Sequence, residues 1–176
     1  MKRIALLLGT LLLLSSCAKS VEPIAGEVVS CAEINIETSI TDGVQLGCLD
    51  GGEGAYLQGL RGPMILNVWA SWCYECGIEM PYLRTFYAKA QGKVALVGVD
   101  VEEKNIEAGQ KYVESHGMTW PNFYDADGSS RGYLGMGVPV TWFIAADGSV
   151  AYKKIGGFKN ELEIIELTAK YLDVTL

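Results

Sequence analysis

The sequence predicts an α/β fold in which a mixed central sheet is flanked by helices. Apolar runs typical of buried strands alternate with segments of helical periodicity, in the order strand, helix, strand, helix, strand, strand, helix. The two neighbouring strands near the end are joined by a hairpin turn rather than by a crossover, which argues for a mixed sheet. The chain of 176 residues is long enough for one such domain with an N-terminal extension.

The first half of this pattern contains the strand that we expect at the centre of the sheet. Residues 64–69 are apolar except for Asn67, as in a strand that is buried on both faces. The sequence then predicts a helix over residues 73–91, a strand over 94–101 and a second helix over 102–116.

The C-terminal part of the chain predicts a hairpin followed by a helix. Residues 140–145 and 150–155 form the two strands of the hairpin. Asn160 can cap the last helix, and Glu163 stands at the reciprocal third position. The buried stripe of this helix is predicted to contain Leu162, Ile165, Ala169 and Leu172.

The N-terminus carries the signals of export. Lys2 and Arg3 precede an apolar run over residues 4–14, which matches the h-region of a signal peptide but is shorter than the about 20 residues that a transmembrane helix needs. The run ends in residues 14–17, Leu-Ser-Ser-Cys, which resemble the bacterial lipobox. This resemblance implies cleavage before Cys17 and lipid on that residue; the alternative is an ordinary secretory signal that happens to end near a cysteine.

These features divide the chain into a signal peptide at residues 1–16, a lipid-anchored tether at 17–33 and the folded domain at 34–176. Within the domain, short runs separated by turn signals over residues 34–62 predict an N-terminal β-hairpin extension. We therefore expect the protein at the cell membrane, held by lipid on Cys17 and facing the extracytoplasmic side.

The acidic composition excludes one class of partner. Net charge is −7, and removal of the signal peptide, which holds two basic residues and no acidic ones, brings it to −9. Binding to nucleic acid needs a basic patch, so no nucleic-acid partner is expected. An anionic lipid surface would repel this body unless a covalent anchor held it there.

The five cysteines leave a small number of pairings. Free thiols outside the cytoplasm tend to oxidise. If Cys17 carries lipid, the economical assignment is Cys31 with Cys48 and Cys73 with Cys76. We interpret the first pair as a structural disulfide; two independent buried thiols or a second redox pair are the alternatives.

The pair Cys73 and Cys76 carries the chemistry. It follows a predicted strand and opens a predicted helix, a context in which Cys-x-x-Cys indicates redox exchange rather than a metal site. Unpaired backbone N–H groups and the helix dipole favour a thiolate at this end of a helix. Cys73 would attack a partner disulfide, and Cys76 would then release the partner. This chemistry requires no metal and no other cofactor.

Residues 69–81, WASWCYECGIEMP, extend this motif into a recognisable pattern. They resemble the thioredoxin superfamily, and specifically its exported TlpA/ResA/CcmG-like branch, in which Trp-Ala-x-Trp-Cys-x-x-Cys is followed by Glu and Pro. Residues 137–141, GVPVT, are similar to the family's cis-proline segment. The resemblance runs over residues 40–172 and implies a thioredoxin-like fold and a thiol–disulfide oxidoreductase.

The resemblance also implies where a substrate would dock. It predicts a cis peptide bond before Pro139, which would lie beside the cysteine pair, and it predicts that the backbone of Val138 pairs with an extended substrate. The alternative is a trans proline that starts an edge strand. Trp72 is expected to pack over the pair and to form part of the docking surface, with plain core packing as the alternative.

Glu79 is the third candidate catalytic residue. It follows Cys76 by three positions, so both project from one face of the helix. A partly buried carboxylate there would disfavour a nearby thiolate or accept the proton of Cys76, and the resemblance implies a functional Glu at this place. A solvated surface Glu is the alternative. Asn67 stands where thioredoxin has a buried Asp, and Glu75 places negative charge between the cysteines, which favours a reducing pair.

These observations predict a reductase of disulfides in exported proteins, with apocytochrome c in cytochrome c maturation as a candidate client and a membrane thiol protein as electron donor. A disulfide oxidase or isomerase on the same fold is the alternative. A copper-delivering thioredoxin-like protein is disfavoured, because such proteins space their cysteines by four and need a nearby histidine, whereas His116 lies outside the motif segments. A peroxiredoxin is disfavoured because the motif Pro-x-x-x-Thr-x-x-Cys is absent from the sequence.

Overall fold

The computed structural model describes residues 24–176 as one seven-stranded sheet with three α-helices. The strands are β1 (Gln45–Cys48), β2 (Ala55–Tyr56), β3 (Met64–Trp69), β4 (Ala95–Val101), β5 (Asn122–Asp125), β6 (Val140–Ile144) and β7 (Val150–Ile155). The helices are α1 (Tyr74–Ala90), α2 (Ile106–His116) and α3 (Glu161–Leu172). Within these described residues, no helix combines the length and the apolar character needed to span a bilayer. The predicted signal peptide at 1–16 and the predicted lipidation site Cys17 lie outside the described residues.

The sheet is mixed, as the sequence predicts. Its strand order is β2-β1-β5-β4-β3-β6-β7, and β3, β4 and β5 run parallel. The hairpin strands β6 and β7 pair antiparallel to each other, and β6 also pairs antiparallel to β3. Strand β3 therefore has neighbours on both sides, and all six of its residues are buried. This burial explains its apolar run, because a central strand contacts the core through both faces.

Strand β5 is absent from the element order that the sequence predicts. It spans only four residues, Asn122–Asp125, and both of its ends are polar. Pairing with β4 on one side and with β1 on the other stabilises it. Because these partners lie far away in the chain, neither local propensity nor periodicity indicates the strand.

Two hydrophobic clusters fill the two faces of the sheet. The buried side chains of all three helices join one cluster with Ile65 and Trp69 of β3. The other cluster contains the alternate residues of β3 and side chains of the N-terminal segment, among them Ile34 and Leu60. Residues 34–62 thus cover a face of the sheet in addition to forming the predicted hairpin, in which β1 and β2 pair antiparallel.

The folded domain begins before residue 34, the predicted boundary. The backbone N–H of Gly26 donates to the carbonyl of Glu114 at 2.8 Å, and that of Glu27 donates to the carbonyl of Met118 at 2.9 Å. A Cβ at position 26 would overlap backbone atoms of this neighbouring segment, so the close approach requires glycine. Residues 24–33, predicted to be part of the tether, therefore belong to the packed domain.

The predicted pairing of Cys31 with Cys48 is confirmed. The two residues form a disulfide, and their exposed fractions are only 3% and 2%. The bridge joins a short 3-10 helix (Cys31–Glu33) to the end of β1, so it ties the N-terminal segment to the sheet.

Capping residues set the two ends of α2. Helix α2 starts at Ile106 rather than at residue 102, because Asn105 caps it by accepting from the N–H of Ala108 at 3.0 Å. Its C-cap is Gly117 with φ 67°, a left-handed conformation that favours glycine.

Helix α3 begins as predicted but buries a different stripe. Asn160 accepts from the N–H of Glu163 at 3.0 Å, which confirms the cap. Leu162, predicted to be buried, is 65% exposed, and Ile164 and Thr168 are the buried residues of this helix. The buried stripe is therefore rotated relative to the prediction; Thr168 fits there because its hydroxyl donates to the carbonyl of Ile164 at 2.8 Å.

Replacing both Cys31 and Cys48 by alanine should lower the free energy of unfolding by about 3 kcal/mol, since the bridge joins residues 17 positions apart and so restricts the unfolded chain. Urea denaturation of the otherwise oxidised protein measures this change. The matched control is the double alanine variant of Cys73 and Cys76, whose bridge closes a loop of only three residues. Equal losses in the two double variants would contradict a structural role for the first pair.

Candidate active site at the Cys73–Cys76 disulfide

The cysteine pair lies where the central strand meets the first helix. Strand β3 ends at Trp69, and Cys73 is the N-cap of α1. Cys73 and Cys76 form a disulfide, and the backbone N–H of Cys76 lies 3.1 Å from the sulfur of Cys73. This N–H is one of the unpaired donors of the first helical turn, so it would stabilise negative charge on that sulfur.

The two cysteines differ in their access to solvent. Cys76 is fully buried, whereas Cys73 is 7% exposed and lines a surface groove. Cys73 is therefore the cysteine that a partner would meet first. This difference agrees with an attacking role for Cys73 and a resolving role for Cys76.

The predicted cis peptide bond between Val138 and Pro139 is confirmed. In the register of the sheet Val68 pairs with Val140, so Pro139 enters β6 beside the end of β3 that leads to Cys73. The sequence motif and the sheet register thus place the proline next to the cysteine pair.

An apolar groove runs between this proline segment and Trp72. Its volume is about 410 Å³. The apolar side chains that line it belong to Val68, Trp72, Val101, Leu134, Met136 and Val138. Trp72 is 59% exposed, so it does not pack in the core, and its Nε1 donates to the carbonyl of Glu102 at 3.1 Å. The groove therefore joins Trp72 and Val138, two of the predicted docking residues, on one accessible surface.

Glu79 is completely buried, which excludes the solvated surface position. Its Oε1 accepts from the side-chain amide of Asn67 at 2.9 Å, and its Oε2 accepts from the backbone N–H of Phe158 at 2.9 Å. Burial raises the pKa of Glu79 to about 7, although the two hydrogen bonds and the charge of Lys154 oppose this rise. The carboxyl group can therefore take up or release a proton near neutral pH.

Asn67 connects this carboxyl group to the sheet. Its amide also donates to the hydroxyl of Thr141 on β6 at 3.1 Å. The position that thioredoxin fills with an acid thus provides a hydrogen-bond donor here, and the titratable group is Glu79 on the adjacent helix. Gly157 leaves space beside that group, because a Cβ at this residue would lie 3.5 Å from Oε2 of Glu79 and 3.8 Å from Cγ of Pro139.

His116 is outside the motif segments in the sequence but lies beside the pair in space. It lines a second groove of about 440 Å³ together with Cys73. Its ring stacks on Tyr112 with centroids 3.8 Å apart, and Tyr112 stacks on Trp69 at 4.8 Å. Packing of α2 against α1 creates this neighbourhood, and no local signal predicts it. Within residues 24–176, no three His, Cys, Asp or Glu residues are grouped so that they could hold a metal ion.

Comparisons with known proteins agree with this geometry. A family model described as the AhpC/TSA family matches residues 44–153. The thiol:disulfide interchange protein DsbE of Pseudomonas fluorescens biotype C is 35% identical over 114 residues, which cover 64% of this chain and 62% of that protein. The thiol-disulfide oxidoreductase ResA of Bacillus anthracis is 34% identical over 116 residues, 64% of this chain and 66% of that protein. The chain thus spans slightly less than two thirds of these relatives.

A solved structure shows the same architecture. A secreted disulfide oxidoreductase of Mycobacterium tuberculosis, described as homologous to E. coli DsbE, superposes with a TM-score of 0.61 at 25% identity. The match covers 72% of this chain and 95% of that one.

Replacing Glu79 by Gln should flatten the dependence of stability on pH. Because the folded-state pKa of about 7 lies above the ordinary value of 4.5, the folded protein holds a proton that the unfolded chain releases. Stability from this group is complete below pH 4.5 and is lost as pH rises through 7, by about 3 kcal/mol in total. Urea denaturation between these pH values measures the loss, which the variant should lack. Glu75→Gln, at an exposed position of the same helix, is the control and should behave like the wild type.

Proposed function

Because the chain belongs to the AhpC/TSA family and has a thioredoxin-like fold, we propose that it is a thiol–disulfide oxidoreductase of the ResA/DsbE type. The observation that carries the proposal is a disulfide at the N-terminus of α1 in which Cys73 lines a surface groove and Cys76 is fully buried. Family membership allows several thiol chemistries, and this pair selects disulfide exchange among them.

The reaction begins with reduced Cys73 and Cys76. The thiolate of Cys73 attacks one sulfur of a client disulfide; a mixed disulfide forms, and the second client sulfur leaves as a thiolate that takes up a proton. Cys76 then gives its proton to Glu79 and attacks the sulfur of Cys73. The mixed disulfide breaks, the client leaves with two thiols, and the Cys73–Cys76 disulfide remains. Two electrons pass from the protein to the client.

Glu79 suits the second step because of its position and its environment. It follows Cys76 by one helical turn, and its raised pKa allows it to accept a proton near neutral pH. Cys76 is fully buried and needs a local proton acceptor to become a nucleophile. We therefore propose that Glu79 is a catalytic residue together with Cys73 and Cys76.

The apolar groove beside Pro139 is proposed as the client site. Trp72, the residue before Cys73, and Val138, the residue before Pro139, both line it, and the exposed apolar side chain of Met136 borders it. An extended client segment could pair with the backbone of Val138 and place apolar side chains in the groove. Such a site fits unfolded or partly folded proteins rather than a small thiol.

We propose that the pair works as a reductant. Glu75 lies between the two cysteines and places negative charge beside the position where a thiolate must form, and Glu79, one turn after Cys76, adds to this charge when it is ionised. Strongly oxidising pairs owe their potential to a stabilised thiolate in the reduced form. Negative charge acts in the opposite direction and favours the disulfide form. An oxidase or isomerase would need the reverse poise.

The cellular setting follows from the N-terminal sequence. We propose that the protein is exported, that lipid on Cys17 holds it on the extracytoplasmic side of the cell membrane, and that a membrane thiol protein reduces it again. Apocytochrome c, whose paired cysteines must be reduced before haem attachment, is the client that we propose to test first. Mass spectrometry of the N-terminal peptide tests the anchor, and an unmodified Cys17 in membrane fractions would exclude it.

The variant Cys76→Ser should accumulate a mixed disulfide with a client. Without the resolving thiol, the bond between Cys73 and the client cannot be broken from within the protein. The measurement is non-reducing gel electrophoresis and mass spectrometry after mixing the reduced variant with an oxidised Cys-x-x-Cys-His peptide. Cys73→Ser is the matched control and should form no adduct, since Cys76 is buried. Absence of an adduct at Cys73, or equal adducts in both variants, would refute the proposed roles.

A further inference from the structure

Two acidic side chains meet beneath the turn that leads to the disulfide. Asp100, in the buried strand β4, is completely inaccessible to solvent. Among the described residues, neither of its carboxyl oxygens has a hydrogen-bond donor. Glu103, three residues further on, is the acidic group whose charge and hydrogen bond affect the carboxyl group of Asp100. A buried carboxyl group without a donor is costly and requires an explanation.

The side chain of Glu103 binds the turn that precedes Cys73. Its Oε1 accepts from the backbone N–H of Ser71, and its Oε2 accepts from the Ser71 hydroxyl at 2.8 Å. The neighbouring carbonyl of Glu102 accepts from Nε1 of Trp72 at 3.1 Å. The segment after β4 therefore binds both residues that immediately precede Cys73.

The surroundings of Asp100 leave no room for a compensating group. On α2, Gly109 packs directly on it, and a Cβ there would overlap Oδ2 of Asp100. The titratable groups that face it from α2 and β5 are Tyr112 and Tyr124; burial is the main cause that raises the pKa of both, and an ionised Asp100 would add to it. Among the described residues, no lysine or arginine forms an ion pair with Asp100 or Glu103.

Asp100 is completely buried and Glu103 lies within hydrogen-bonding reach of it, so charge on both carboxyl groups would be repulsive. A proton on Asp100 removes this repulsion and provides the missing donor, because a protonated carboxyl group donates to a neighbouring carboxyl oxygen. Burial, followed by the charge of Glu103 and its hydrogen bond, raises the pKa of Asp100 to about 9. The carboxyl oxygens of Glu103 accept both bonds from Ser71.

We propose that Asp100 and Glu103 hold one proton between them and that this pair positions Ser71 and Trp72, and through them the attacking sulfur of Cys73. Asp100 acts through Glu103, so both are positioning residues and neither touches the client. The consequence for exchange rests on the proposed oxidoreductase function, whereas the shared proton and the contact with Ser71 do not depend on it. This acidic site is separate from Glu79, which lies on α1 and is bound by Asn67 and Phe158.

The shared proton can be observed directly by a ¹³C NMR titration of the side-chain carboxyl carbons in the oxidised protein. At pH 7 one of the two carbons should have the chemical shift of a protonated acid and should titrate only in the alkaline range. Asp100→Asn, an isosteric mimic of the protonated acid, should remove that titration, whereas Glu102→Gln on the same loop should leave it unchanged. Two fully ionised carboxyl carbons at pH 7 would overturn the proposal.

The positioning role is tested on Ser71 and Cys73. In Glu103→Ala, which removes both acceptor oxygens, hydrogen exchange of the Ser71 amide should accelerate by about tenfold or more. Alkylation of Cys73 in the reduced protein should change in this variant, and in Asp100→Asn it should stay within about twofold of wild type at pH 7. Wild type should lose its Ser71 protection in the alkaline range, and Asp100→Asn should keep it.

The outcomes separate this proposal from the proposed function. Unchanged Ser71 protection in Glu103→Ala would overturn the positioning role even if the protein reduces clients. Altered protection together with a protein that exchanges no disulfide at all would support the acidic pair and refute the oxidoreductase. Should Glu103→Ala fail to fold, the titration of Asp100→Asn against Glu102→Gln still decides whether Asp100 holds the proton.

Discussion

The buried carboxyl group of Glu79 joins the elements that surround the disulfide. It sits on α1, and its two oxygens accept hydrogen bonds from Asn67 of β3 and from the backbone of Phe158 in the turn before α3. Burying a carboxyl group costs several kcal/mol unless it is hydrogen-bonded or protonated. These bonds hold the N-terminal half of α1 against the sheet and the turn before α3, with Cys73 at the N-cap and Cys76 enclosed.

A second acidic site lies beside the turn before α1. Glu79 is a residue of α1 itself, whereas Glu103 binds Ser71, which precedes the helix. Each site contains a carboxyl group that burial favours in its protonated form, namely Glu79 in the first site and Asp100 in the second. Together with Glu75 they surround the pair with acidic groups. On the proposed function, this environment explains how a thiol pair at a helix N-terminus, which ordinarily favours the thiolate, can work as a reductant.

Local signals predicted much of the fold and of the candidate site. The apolar run of β3 and the Asn160 cap depend on nearest neighbours in the chain, and the motif pattern predicted the cis bond at Pro139. The remaining features depend on contacts between residues that are far apart in the chain. Strand β5 exists because β4 and β1 enclose it, and His116 reaches the second groove because α2 packs beside α1. Asp100 carried a signal that could have been used, namely an acid within an otherwise apolar buried strand.

The most direct test of the account is the reduction potential of the Cys73–Cys76 pair, measured by equilibration with glutathione or dithiothreitol. The acidic surroundings predict a reducing potential close to that of thioredoxin, about −270 mV. A value close to the about −120 mV of DsbA would mark a strong oxidant and contradict the account. The Cys31–Cys48 bridge should stay oxidised throughout, because it is buried in a hydrophobic cluster other than the one that contains Cys73 and Cys76.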